Sequence, residues 1–243
     1  MEDIVLGEFL GCIFLMLFGG GVVANCVLTK SKGLNAGWLA IAIGWGFAVM
    51  GAVFVAKSTG SAQADLNPAV TLAKYLLGGI YTLGQLTPII LAQFLGCFVG
   101  SVIVWLAYYS HWKETKDPST ILAVFSTGPA IRSSGANFIN EVIGTCVLVF
   151  GIGAIFGKAT NNGEISPAMG PYFVGLLVWA VILSLGGATG CAINPARDLA
   201  PRIAHSLLPI SGKGNSDWSY AWIPVLGPIV GGIFGALLWR AFL

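Results

Sequence analysis

Charged positions along this chain come in clusters separated by long apolar runs. No Asp, Glu, Lys or Arg occurs between Phe9 and Thr29, Gly33 and Ala56, Tyr75 and Trp112, Val142 and Gly157, or Trp218 and Trp239. A membrane span needs roughly 20 mostly apolar residues, so most of these runs hold one crossing helix each. Ile165 to Ala196 is also charge-free but too long for a single span. The pattern predicts an all-α polytopic membrane protein with about six spans.

Laid on itself, the chain repeats. "GEFLGCIFLML" (Gly7 to Leu17) matches "NEVIGTCVLVF" (Asn140 to Phe150), pairing Glu8 with Glu141 and Gly11 with Gly144. Asn67-Pro68-Ala69 then matches Asn194-Pro195-Ala196, and "QFLGCFVG" (Gln93 to Gly100) matches "PIVGGIFG" (Pro228 to Gly235). Each half reads as span, span, Asn-Pro-Ala segment, span. Three spans per copy is odd, so the second copy enters from the opposite face. Such inverted repeats place functional groups where the halves meet, near the midplane. One domain over 1–243 is expected, with repeats at approximately 4–109 and 137–243 joined by a polar linker at 110–136. The glycines at Gly96-x3-Gly100 and Gly231-x3-Gly235 have the spacing of close helix contacts.

Asn is a strong helix N-cap and Pro is favoured at the first helical position, so each Asn-Pro starts a helix. "VTLAKYLL" and "RDLAPRIAHSLL" can each supply only a short one. Two half-helices entering from opposite faces would bring their positive dipole ends together. Their Asn amides would hold a neutral solute's oxygen there and repel cations and protons. The residues before each Asn are expected to run extended, presenting the carbonyls of Gln63, Ala64, Asp65, Gly190, Cys191 and Ala192 as acceptors, with glycines 186, 187 and 190 suited to that conformation. Arg197 follows the second motif where Val70 follows the first. It reads as a fixed charge on one wall of a pore, the alternative being an arginine that snorkels from a helix end. Glu8 and Glu141 are intramembrane acids, read as acceptors that brace the pre-Asn amides rather than as proton relays. His111 and His205 fall in predicted loops and read as surface residues.

Only 9% of residues are charged and the net charge is +2, which points to a lipid bilayer and to no nucleic-acid partner. The five cysteines (12, 26, 97, 146, 191) lie in or beside apolar segments without metal-type spacing, so no metal site, cofactor or disulfide framework is expected. The acidic start "MEDIVLGEFLGC" carries Glu8 in its apolar run and does not read as a cleaved signal peptide. With both termini cytoplasmic, Lys57, Lys74, Lys158 and Arg240 would lie inside and the other eight of 12 basic residues outside, so charge does not decide orientation.

"GEFLG", "LNPAV", "AINPARD" and "GPIVG", at these intervals, make the chain resemble the major intrinsic proteins, the aquaporin and glycerol-facilitator family. The resemblance covers nearly all 243 residues. It implies six tilted helices plus two re-entrant half-helices, a homotetramer with one pore per subunit, a bacterial plasma-membrane location and cytoplasmic termini. Asp198, Arg202 and Pro224 resemble the glycerol-conducting branch. Carried over by residue, the constriction falls on Trp45, Ile182, Cys191 and Arg197, with Phe47 as the alternative to Trp45. The two are about 200° apart on a helix, so only one can face the pore. Glycerol facilitators typically carry an aromatic at the position of Cys191 and glycine at that of Ile182. Asp65 replaces the usual histidine, and its charge either disfavours anions or recruits a donor.

The function expected is a passive single-file channel for glycerol-like solutes and water that excludes protons and ions. Its rival within the family is a channel mainly for water or a small protonated acid such as lactic acid. The rival from another class is an ion-coupled secondary transporter, which also uses inverted repeats, but no ion-coordinating cluster is visible. No nucleophile–base pair or metal set marks an enzyme.

Overall fold

The computed structural model describes residues 1–157, 166 and 168–243. Lys158 and Ile165, both used above, lie outside the described residues. Nine α-helices follow one another among those residues: α1 Glu2–Val27, α2 Gly37–Ser58, α3 Pro68–Leu77, α4 Leu83–Ala107, α5 Pro118–Phe125, α6 Ser134–Phe156, α7 Gly170–Leu185, α8 Pro195–Leu207 and α9 Ile223–Phe242. A 3-10 turn at Tyr109–His111 follows α4. Helices α1, α2, α4, α6 and α9 are long and apolar enough to cross a membrane, and α7 is apolar over 16 residues. At 1.5 Å per residue, the 26 residues of α1 reach about 39 Å, more than the ~30 Å hydrocarbon core, so the helix must tilt or protrude.

The linker also contains a helix that the hydrophobic pattern did not indicate. Its signal was local chemistry: Asp117 caps α5 by accepting from Ser119 N and Thr120 N, both at 3.1 Å, and Pro118 occupies the first turn. An eight-residue helix has too few turns for an apolar stripe to stand out.

The two halves close through glycines placed alike. On α4, Gly96 lies against the Phe9 carbonyl of α1, and a Cβ at Gly100 would come 2.6 Å from the Ile13 carbonyl oxygen. On α9, Gly231 lies against the Val142 carbonyl of α6, and a Cβ at Gly235 would come 2.9 Å from the Cys146 carbonyl oxygen. Helix backbones in lipid associate by close packing of this kind, since the solvent supplies no hydrophobic force between them. Where the halves adjoin, Gly46 of α2 and Gly175 of α7 face each other, each lacking the Cβ that would fall 2.7–2.8 Å from the other's carbonyl oxygen.

A methyl group at such a position must push two backbones apart. Gly231→Ala is expected to destabilise by about 1–3 kcal/mol, seen as a lower unfolding temperature in detergent. Gly21→Ala, with nothing within 4 Å of the added carbon, should leave that temperature unchanged. Equal stability of the two variants would show that the α6–α9 contact tolerates separation.

Candidate functional site

Helices α3 and α8 start at the two asparagines, and their N-termini are tied to each other. Asn67 is extended (φ −158°) and its Oδ1 accepts from Ala69 N at 2.9 Å; Asn194 (φ −155°) accepts from Ala196 N at 3.0 Å and Arg197 N at 3.2 Å. The amide nitrogens cross over: Asn67 Nδ2 donates to the Ile193 carbonyl and Asn194 Nδ2 to the Leu66 carbonyl, each at 2.7 Å. A carboxamide nitrogen carries two hydrogens. Both side chains line the central cavity, and among the described residues the second N–H of each has no protein acceptor.

The segments before the asparagines are not extended as expected. Ala64 and Leu66 have φ of +45° and +55°, and Cys191 and Ile193 have +56° and +44°. These are the third and first residues before each Asn, with Asp65 and Ala192 between them at negative φ. An extended strand would send successive N–H groups to opposite sides. The alternating hand instead turns two successive N–H groups toward one anion. Asp65 N and Leu66 N donate to Glu8 at 2.8 and 2.7 Å; Ala192 N and Ile193 N donate to Glu141 at 3.0 and 2.8 Å. Non-glycine residues held at positive φ cost of order 1–3 kcal/mol each, which these buried charge-assisted bonds offset. Of the three glycines thought suited to the segment, Gly190 is left-handed (φ +85°), whereas Gly186 is the right-handed C-cap of α7.

Each carboxylate is further held by side chains that sequence reasoning missed. Glu8 accepts from Ser61 Oγ at 2.6 Å and Gln93 Nε2 at 2.8 Å, and Glu141 from Thr189 Oγ1 at 2.7 Å. Both acids are buried.

These elements wall a cavity of about 390 Å³. Its lining includes the segments before and at the two motifs: Gln63, Ala64, Asp65, Leu66 and Asn67 from the first half, and Cys191, Ala192, Ile193, Asn194 and Arg197 from the second. It also includes apolar side chains, those of Leu15, Val49 and Val53, of Leu148 and Ile152, and of Val174, Val178 and Ile182. Gly190, counted among the pore carbonyls, is not in the lining. The Arg197 guanidinium lies over the Trp45 ring, 4.0 Å from its centroid, and donates to the Phe125 carbonyl at 3.3 Å. Ile182 and Cys191 line the same cavity, whereas Phe47 is 55% exposed on the outer surface.

A sequence profile described as Major intrinsic protein matches residues 2–239. The chain belongs to the major intrinsic protein family. It is 50% identical over 238 residues to the "Probable glycerol uptake facilitator protein" of Thermotoga maritima, covering 98% of each chain. It is 52% identical over 236 residues to "Glycerol uptake facilitator protein 3" of Lactiplantibacillus plantarum, covering 97% of this chain and 95% of that one. Among solved structures, the aquaglyceroporin from Plasmodium falciparum superposes with a TM-score of 0.86 at 28% identity, over 99% of this chain and 96% of that one. Five helices among the described residues are long and apolar enough to cross a membrane, and this major intrinsic protein is an integral membrane protein.

Two charged features of this family member sit beside the pore. Asp65 recruits donors: Lys74 pairs with it, Thr71 Oγ1 donates at 2.9 Å and Tyr81 OH at 2.7 Å. Lys74 also reaches the Gln63 carbonyl at 3.3 Å and Gln63 Oε1 at 3.0 Å, so that carbonyl is already partnered. Nothing local announces a partner nine residues on; the first turns of α3 bring Lys74 back beneath the loop. On the other half, Asp198 and Arg202 form a fully buried pair. Arg202 Nε and Nη2 both donate to Asp198, its Nη1 to the Ser216 and Asp217 carbonyls and its Nη2 to Thr127 O, while Asp198 accepts from Thr127 N and Oγ1.

The histidine expectation is corrected. His205 lies in the last turn of α8 and is fully buried, its Nδ1 2.9 Å from Ser216 Oγ and its ring against Phe125. His111 is half-buried in the 3-10 turn, with Nδ1 3.0 Å from the Thr29 carbonyl oxygen. A half-helix inside the protein buries residues that the same pattern would expose on a surface loop.

Proposed function

We propose that this chain is a passive channel for glycerol and similar small uncharged polyols, and for water. The observation that carries this reading is the pair of crossed asparagine amides at the meeting N-termini of α3 and α8. Each keeps one N–H for a passing hydroxyl, in a cavity whose lining combines polar groups with apolar side chains. A polyol can lay its hydroxyls along the carbonyls and Arg197 and its C–H edge along Ile182, Val178 and Leu148. Arg197, of whose five N–H groups one is given to Phe125, supplies further donors to the cavity. The fixed positive charge and the two half-helix N-termini oppose cations and protons. Trp45, Ile182, Cys191 and Arg197 form the selectivity filter in this reading, and Glu8 and Glu141 act as braces. The repeats run at approximately 4–109 and 137–243 about the 110–136 linker, both termini are cytoplasmic, and four copies assemble, each with its own pore. The relatives named as glycerol uptake facilitators support the polyol as substrate.

The test is stopped-flow light scattering on proteoliposomes with water, glycerol, dihydroxyacetone and lactic acid. Non-saturating glycerol flux independent of any ion gradient is expected. Saturation that requires such a gradient would replace the channel with a coupled transporter, and flux confined to water or lactic acid would replace the substrate.

In the same assay Asn194→Asp should lower glycerol flux and admit cations. The substitution sets a carboxylate oxygen against the Leu66 carbonyl, 2.7 Å from the present nitrogen, and adds negative charge where the helix N-termini meet. Wild-type glycerol flux together with wild-type ion conductance would remove these amides from the solute path.

A further inference from the structure

The far end of α4 carries charge that the pore does not use. Lys113 and Lys116, after the 3-10 turn, are exposed, as are Lys30 and Lys32 in the loop after α1. The two loops form one surface: Thr29 N donates to Thr115 Oγ1 at 3.0 Å, and Lys30 pairs with Glu114 at 2.6 Å. Glu114 and Asp117 are its carboxylates. Asp117 caps α5, and hydrogen bonds from Ser119 and Thr120 hold its carboxyl at about 2, so it stays ionised. Four lysines against two carboxylates leave two positive charges. Among the described residues, no carboxylate lies within ion-pair distance of Lys32, Lys113 or Lys116.

This patch crowns an apolar face that no helix of the chain covers. Leu91, Leu95 and Leu106 of α4 are 56%, 58% and 56% exposed, at spacings that place them along one side of the helix. At the end of that side Tyr109 is 63% exposed, with its ring edge-on to Trp105 at 5.4 Å. Aromatic pairs of this kind mark the headgroup level of a bilayer. The start of α4 differs: from Leu77 to Leu86 there is no charged residue.

We propose that this end of α4 binds an anionic phospholipid, with the phosphate held by Lys32, Lys113 and Lys116 and the acyl chains lying along Leu95 and Leu106. Negative headgroups attract juxtamembrane lysines, and the exposed leucines continue directly into the hydrocarbon. The geometry confines the preference to one leaflet, because the opposite end of the helix offers no charge.

Native mass spectrometry of the full chain in detergent, with phosphatidylglycerol or phosphatidylcholine added, tests this. Wild type should retain phosphatidylglycerol preferentially, and the preference should fall by about fivefold per lysine replaced through Lys32→Gln, Lys113→Gln and Lys116→Gln. Raising the salt in the exchange buffer should weaken it in wild type. Arg240→Gln, at the other end of the chain, should leave it intact. Glycerol flux of the triple variant in pure phosphatidylcholine should match wild type, which separates lost lipid binding from misfolding. Equal retention of the two lipids, a preference that survives the triple substitution, or equal protection by inorganic phosphate alone would overturn the proposal. So would resistance of Lys113 and Lys116 to acylation in phosphatidylcholine, which would mean that a second copy of the chain covers this face.

Discussion

Arg202→Leu is expected to destabilise the folded chain by about 3–5 kcal/mol, the usual consequence of removing one partner from a buried ion pair. Asp198, fully buried, would lose its counter-charge, and the carbonyls of Ser216, Asp217 and Thr127 would lose their donor. The pair joins α8 to the segment after α5 and to the loop before α9. Phe125, two residues before Thr127, supplies the carbonyl on which Arg197 rests, so glycerol flux should fall at temperatures where the variant remains folded. Denaturant titration in mixed micelles, with flux measured in parallel, checks both statements. Arg202→Lys should recover only part of the loss, because one ammonium cannot replace a planar fork that reaches four acceptor groups. Wild-type stability of Arg202→Leu would mean that the neighbouring loops rearrange to hydrate the carboxylate.

Thiol modification should close the pore through one residue. Cys191 lines the cavity with Arg197 and Trp45, whereas Cys12, Cys26, Cys97 and Cys146 lie outside the lining. A bulky thiol reagent should therefore reduce glycerol flux to the level of protein-free vesicles, and saturating glycerol should slow the reaction. Cys191→Ser should conduct and resist the reagent, while a variant retaining only Cys191 should remain sensitive. Full sensitivity of Cys191→Ser would take this residue out of the constriction and weaken the placement of Trp45 with it. Cys191→Phe tests size alone. A ring facing Ile182 should narrow the passage and cut glycerol flux more than water flux; a gain in glycerol flux would mean that the two side chains do not share one cross-section.

The sequence by itself determined the crossing helices, because transferring an apolar run into lipid is a property of that run alone. It determined the starts of α3 and α8 for a similar reason: an Asn cap followed by Pro acts over three or four residues. The matched Glu8 and Glu141 could be singled out because a lone acid inside an apolar run has few physical explanations. Tertiary structure decided the rest. Ala64, Leu66, Cys191 and Ile193 are residue types that avoid positive φ, so nothing local announced their left-handed backbone; acceptors more than 50 residues away in the chain imposed it. Helical period separates Trp45 from Phe47 but does not say which side faces the cavity, and the packing of α2 against α1 and α7 decides that. The charge of Asp65 was open until the fold brought Lys74, Thr71 and Tyr81 around it, and His205 passed for a surface residue until α8 was buried. Local free energies fix which segments are helical and where they begin. Which hydrogen-bond partners and which faces meet depends on contacts between distant segments, and no single segment encodes those.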